Sequence, residues 1–203
     1  MKKQMNTVGY KKFLFFTIIL LATRIADMIL TYIGTPDLSK EANPLVYVLG
    51  FGWKTLIIVN AIVSILAIIL FYYSFVKYKS DTINCNGFKQ YLSMISFNRP
   101  DKFIWVFYKS PNNKKYYFSL LACSGYIFAL VIPISSTIAI MEWIISSNIK
   151  IKFPYHINLK NIVRIDFIIF VTILTIIIYF YWYYKEYKLN KIRLEENMVK
   201  NNI

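Results

Sequence analysis

Residues 53–75 read WKTLIIVNAIVSILAIILFYYSF, with a single charge, Lys54, at the start of the run. About 20 apolar residues at 1.5 Å rise each cross the roughly 30 Å hydrocarbon layer of a bilayer. Here the apolar residues surround the helix instead of forming a stripe, so no face is left for water. Three further stretches meet the same standard: 13–33, 116–145 and 162–184. Long unbroken apolar runs do not alternate as barrel strands do. The expected fold is therefore all-α, an integral bundle of four transmembrane helices.

Composition supports this reading. The 203 residues are 57% hydrophobic and only 17% charged, with a mean hydropathy of +0.47. A water-soluble domain carries about 25% charged residues, and a chain this apolar has too much surface to bury to stay disordered. Two cysteines cannot build a disulfide scaffold, and with one histidine, His156, most His-based catalytic and metal designs lack their parts. No cofactor is implied, and no metal ligand set is defined.

Direction follows from the cations. Seventeen of the 24 Lys and Arg lie in the N-terminal tail, the central loop and the C-terminal tail. The positive-inside rule puts these three segments in the cytoplasm, as expected for a plasma- or inner-membrane protein. The expected organisation is a basic tail (1–12), a first helical hairpin (13–75) with an outer loop at 34–52, and a basic loop (76–115). A second hairpin (116–184) with an outer loop at 146–161 and a C-terminal tail (185–203) complete it. Lys11 and Lys12 before an apolar run also resemble a secretory leader. However, Arg24 occupies a position where cleavage wants a small residue, and hydrophobicity continues to Ile33, so an uncleaved span is expected. Phe71–Phe75, Tyr116–Phe118 and Tyr179–Tyr184 would form the inner aromatic belt, with Tyr32, Trp53 and Trp143 near the outer ends.

The formal charge of +14 is read as topology and attraction to anionic inner-leaflet lipids. No nucleic-acid fold signature accompanies it. In the central loop, apolar residues at 91–97 and 103–108 lie between basic ones. This pattern fits a segment on the inner leaflet, or equally a small subdomain packed on the bundle. The C-terminal tail reads as a frayed continuation of the fourth helix. Pro133 should kink the third, and Ala122, Ser124 and Gly125 suit close helix contact.

Ionisable groups inside spans are expensive and so point to function. Arg24 and Asp27 stand at i and i+3, with Thr31 and Thr17 on the same face. Asp27 falls roughly 7 Å below Tyr32. An internal ion pair packed against a neighbouring helix would explain this without any chemistry. On the predicted topology Glu41, Lys54, Glu142 and Asp166 gather at the same outer side, near Arg164 and His156. In the outer loop, Asn43-Pro44 reads as an N-cap followed by proline at the first helical position, opening a short helix at 45–49 that ends at Gly50. The candidate polar cluster is thus Arg24, Asp27, Thr31, Glu41, Asn43, Lys54, Glu142 and Asp166.

Five of these residues, together with Pro44, carry a resemblance. Asp27 and Thr31, then Glu41, Asn43 and Pro44, then Lys54 follow the pattern D-x-x-x-T, E-x-N-P, K. The segment resembles a small prokaryotic multi-span membrane family classed as a domain of unknown function. The resemblance covers about residues 13–75, and residues 35–40 make the loop rather long for it. It implies a multi-span prokaryotic protein and supplies no activity.

Three functions fit. A non-enzymatic accessory, assembly or immunity-type factor leads, with a membrane-protein partner or a homo-oligomer left open. An intramembrane enzyme could instead use the outer carboxylates on a lipid-linked substrate, although GxSxG and HExxH patterns are missing. A small transporter or ion-coupled subunit is the third, without a repeat to build an inverted architecture.

Overall fold

The computed structural model describes residues 2–38, 46, 50, 52–148 and 159–201. Among these, the side chains of 2–6, 142, 143, 145–148, 159–167, 200 and 201 are outside the description. The described chain is helical and contains no strand. Helix α1 is Lys2–Gly34 and α2 is Trp53–Tyr72, extended by a π-turn at Tyr73–Lys77. The short α3 is Phe88–Phe97 and is followed by a 3₁₀ turn at Phe103–Phe107. Helix α4 is Lys114–Asn148 and α5 is Leu159–Asn201.

Four stretches are long and apolar enough to cross a membrane: Thr7–Gly34, Trp53–Lys77, Lys114–Met141 and Ile168–Val199. The chain is an all-α, multi-pass architecture, as its hydropathy requires. Polar residues within these spans cause little difficulty. Thr23, Asn60, Ser64, Thr172 and Thr175 each donate to the carbonyl four residues earlier, at 2.8–3.0 Å, which returns their polarity to the helix backbone. Thr137 does the same to the carbonyl of Pro133 at 2.8 Å, beside the expected kink.

Helix α4 is the hub, packing against α1, α2 and α5. In the apolar stretch of each span, 39% of positions are buried in α4 against 6% in α1. Contact between α4 and α2 is close because Gly125 has no side chain. A Cβ there would lie 2.2 Å from the carbonyl oxygen of Leu70, so any larger residue would drive the helices apart. Gly9 plays the same part between α1 and the π-turn, where a Cβ would meet the oxygen of Phe75 at 2.3 Å.

Two cores result. Within the spans, Leu20, Ala67, Phe71 and Ala129 join α1, α2 and α4. A larger one lies at the end of the bundle near the termini of α2 and α4, where Tyr91, Leu92 and Ile95 of α3 meet Tyr116, Cys123, Trp182 and Tyr183. Helix α3 starts after Gly87 and stops at Asn98, whose left-handed backbone (φ 56°) suits a helix C-terminus. Its apolar face is buried against protein, so of the two readings of the central loop this part takes the packed one. The expected inner aromatic belt also divides. Phe71, Tyr116, Trp182 and Tyr183 are core, whereas Tyr117, Phe118, Tyr181 and Tyr184 remain exposed.

The C-terminal tail is not a loose end. Asn190 is fully buried. Its side-chain oxygen accepts from the Ile83 N–H at 2.7 Å, and its amide donates to the Ile83 carbonyl at 2.8 Å. Arg193 Nη1 donates to the Ser80 carbonyl at 2.8 Å and to its Oγ at 2.5 Å. These bonds satisfy the Ser80 carbonyl and both main-chain groups of Ile83 in the 80–85 segment, which forms neither helix nor strand.

Candidate functional site

At the Tyr32 end, the structure brings together only part of the cluster expected from sequence. Arg24 Nη1 lies 3.6 Å from Asp27 Oδ2, with the two side chains 25% and 31% exposed. They share a face of α1 with Leu20, which packs near Ala129. One heptad further along each helix stand Asp27 and Ser136, and the buried Ser136 hydroxyl has no hydrogen-bond partner among the described residues. Thr31 is half-buried, and its carbonyl accepts from the N–H and hydroxyl of Thr35 at 2.8 and 3.0 Å. Lys54 is exposed and makes no ion pair among the described residues.

Glu41 and Asn43 lie outside the described residues. Glu142 and Asp166 fall within α4 and α5, but their side chains are outside the description, as is that of Arg164. Gly50, at φ 66°, donates to the Val46 carbonyl at 2.9 Å, and the rest of the short helix expected at 45–49 lies outside the described residues. Trp53 Nε1 donates to the Pro36 carbonyl at 2.7 Å and its ring meets Tyr32 edge-on, pinning the starts of the loop and of α2 together. Among the described residues, no three His, Cys, Asp or Glu side chains are grouped to hold a metal ion.

The opposite end holds a site that the sequence reading missed. A cavity of about 640 Å³ lies between the first turns of α1, the π-turn after α2, Tyr126 of α4 and residues 182–193 in the second half of α5. Wide turns of this kind recur at functional sites, and this one presents Ser74 and Phe75 to the cavity. Lys12, Lys185 and Arg193 supply positive charge, and Trp182 and Leu189 supply apolar wall. Lys185 lies 5.5 Å from the centre of the Tyr126 ring, held as a cation over an aromatic face.

Glu186 is the cavity's one carboxylate among these lining residues. It is only 9% exposed, and its Oε2 is sealed from solvent without a hydrogen-bond partner. The ion pairs among described residues lie elsewhere, at Arg24–Asp27, Lys102–Asp101 and Lys115–Asp81, so none of the three cavity cations neutralises it. Burial, with a smaller push from Glu186, holds the Tyr78 phenol above its ordinary range. The signal in the sequence is Glu186 itself, an acidic residue two positions past the apolar run that ends at Tyr184. Leu189 and Arg193 fall on its helix face at i+3 and i+7. In the sequence reading, the surrounding lysines counted only toward topology.

Beside this end, the 103–107 turn exposes Ile104 and Phe107, which are 70% and 62% accessible. Lys102 and Lys109 stand 4.6 and 3.8 Å from the Trp105 ring centre, and the ring of Phe107 approaches Phe180 of α5 at 6.3 Å. Comparison with protein-family models, with curated proteins and with solved structures finds no match to this chain.

Proposed function

We propose that the protein is a non-enzymatic accessory, assembly or immunity-type factor of a prokaryotic plasma or inner membrane, acting by contact with another membrane protein or a second copy of itself. The observation that carries this reading is the Arg24–Asp27 pair, a quarter to a third exposed on the least covered span. Charges within a span face protein or water and avoid lipid, so a further helix is expected to cover them. The likeness of Asp27, Thr31, Glu41, Asn43 and Lys54 to the uncharacterised membrane family belongs to the same proposal.

A photo-crosslinking residue at Ile25, an exposed neighbour of the pair, tests it in intact membranes. The expected result is a discrete protein adduct, at the mass of a dimer or of a defined heteromer, that is lost in Asp27→Asn while the protein's abundance holds. Adducts to lipid alone would overturn the proposal.

The proposed orientation keeps both termini and the central loop in the cytoplasm, in contact with anionic lipids. Support comes from the 102–109 segment, where exposed Ile104 and Phe107 flanked by Lys102 and Lys109 have the chemistry of an interfacial anchor.

A further inference from the structure

We infer that the cavity between α1 and α5 is a binding site for a membrane lipid with a phosphoethanolamine headgroup. This inference is independent of the partner contact proposed above, and either can fail alone. A cavity of about 640 Å³ lies within the roughly 300–1,000 Å³ range of sites for small amphiphiles. It sits where the apolar run of α5 gives way to its basic tail and where Lys12 precedes the apolar part of α1, the depth of a headgroup. Basic pockets between spans at this depth are suited to phosphate. Trp182, Leu189 and Phe75 offer the apolar wall that a glycerol backbone and the first methylenes need.

Phosphate alone leaves Glu186 unexplained, because a buried carboxylate would repel an anionic headgroup. Glu186 lines the cavity, and no cation among the described residues lies within 4 Å of its carboxylate. An uncompensated buried charge is costly. One headgroup meets both demands: its phosphate lies against Lys12, Lys185 and the guanidinium nitrogens of Arg193 not used on Ser80, and its ammonium answers Glu186. A purely anionic headgroup satisfies only the first, and a choline headgroup lacks N–H donors for the second.

The full-length chain, purified in mild detergent and exposed to equimolar phosphatidylethanolamine and phosphatidylglycerol, provides the test, with retained lipid read by native mass spectrometry. Wild type is expected to retain phosphatidylethanolamine preferentially. Glu186→Gln should lower that retention by roughly tenfold, the worth of one charge-assisted hydrogen bond, and leave phosphatidylglycerol unchanged or raised. Lys185→Gln should lower both. Equal retention of the two lipids by wild type overturns the inference without any variant, as does an unchanged preference in Glu186→Gln. Binding of soluble phosphoethanolamine without binding of the lipid would overturn the lipid as its source.

Discussion

The two ends of the bundle are built on different principles. Among the described residues at the Tyr32 end, α1 and the loop after it meet the start of α2 through one aromatic edge contact and one indole hydrogen bond, and the Arg24–Asp27 ion pair stays within α1. At the other end α3, α4, α5 and the 80–85 segment converge on a shared aromatic core, with buried Asn190 tying loop to helix. Lipid tails give helices no hydrophobic reason to associate, whereas a loop beyond the hydrocarbon has that reason and can fold onto the helix ends. The better-packed end is thus the one where the described chain outside the spans folds back onto the helix ends, and the cavity lies beside it.

The largest test of this contrast replaces one tyrosine at each end. Tyr183→Ala empties a fully buried position packed on Tyr116 and Tyr179 and should cost about 3–5 kcal/mol. Tyr32→Ala, at a residue 61% exposed, should cost about 1 kcal/mol. Thermal unfolding of both variants in one detergent measures the difference, and similar losses would remove the distinction between the ends.

Asn190→Ala sharpens it at the level of a single link. It orphans the Ile83 N–H and carbonyl, at an expected cost of about 2–3 kcal/mol. Burial raises the pKa of the nearby Cys85 thiol, so its alkylation at neutral pH should be slow in wild type and accelerate when the 80–85 segment is released. An unchanged alkylation rate would mean that Asn190 does not hold the segment.

The smallest effect is a pH response confined to the aromatic end. Burial raises the Tyr78 and Tyr91 phenols above their ordinary value of 10.0. The folded state therefore keeps protons that the unfolded state releases, so this contribution is complete below pH 10 and is lost as pH rises beyond it. Tyr91→Phe should move the alkaline unfolding midpoint upward. Near pH 7 it should change stability by less than about 1 kcal/mol, because the Tyr91 hydroxyl is buried without a hydrogen-bond partner. A circular-dichroism pH titration of both proteins reads the shift.

Part of the candidate site was legible in the residues, since Arg24 and Asp27 at i and i+3 must meet on one helix. The wider outer cluster was an inference from depth alone. Depth fixes a level in the membrane but not a position around the bundle, and Lys54, at the expected level, is exposed and unpaired among the described residues. Glu186 was hidden by the lysine-rich sequence around it. Its role depends on which face of α5 turns toward α1 and the π-turn.

Hydropathy alone determined that four segments are long and apolar enough to cross a membrane, because crossing hydrocarbon is a property of each segment by itself. The small residue at 125 marked a close helix contact for the same local reason. Only the tertiary structure decided that α4 is the hub, that four aromatic residues of the belt are core, and that the C-terminal tail and central loop form one unit with a charged cavity beside it. Those outcomes depend on which helix faces meet, and lipid, being equally apolar on every side, does not impose that choice.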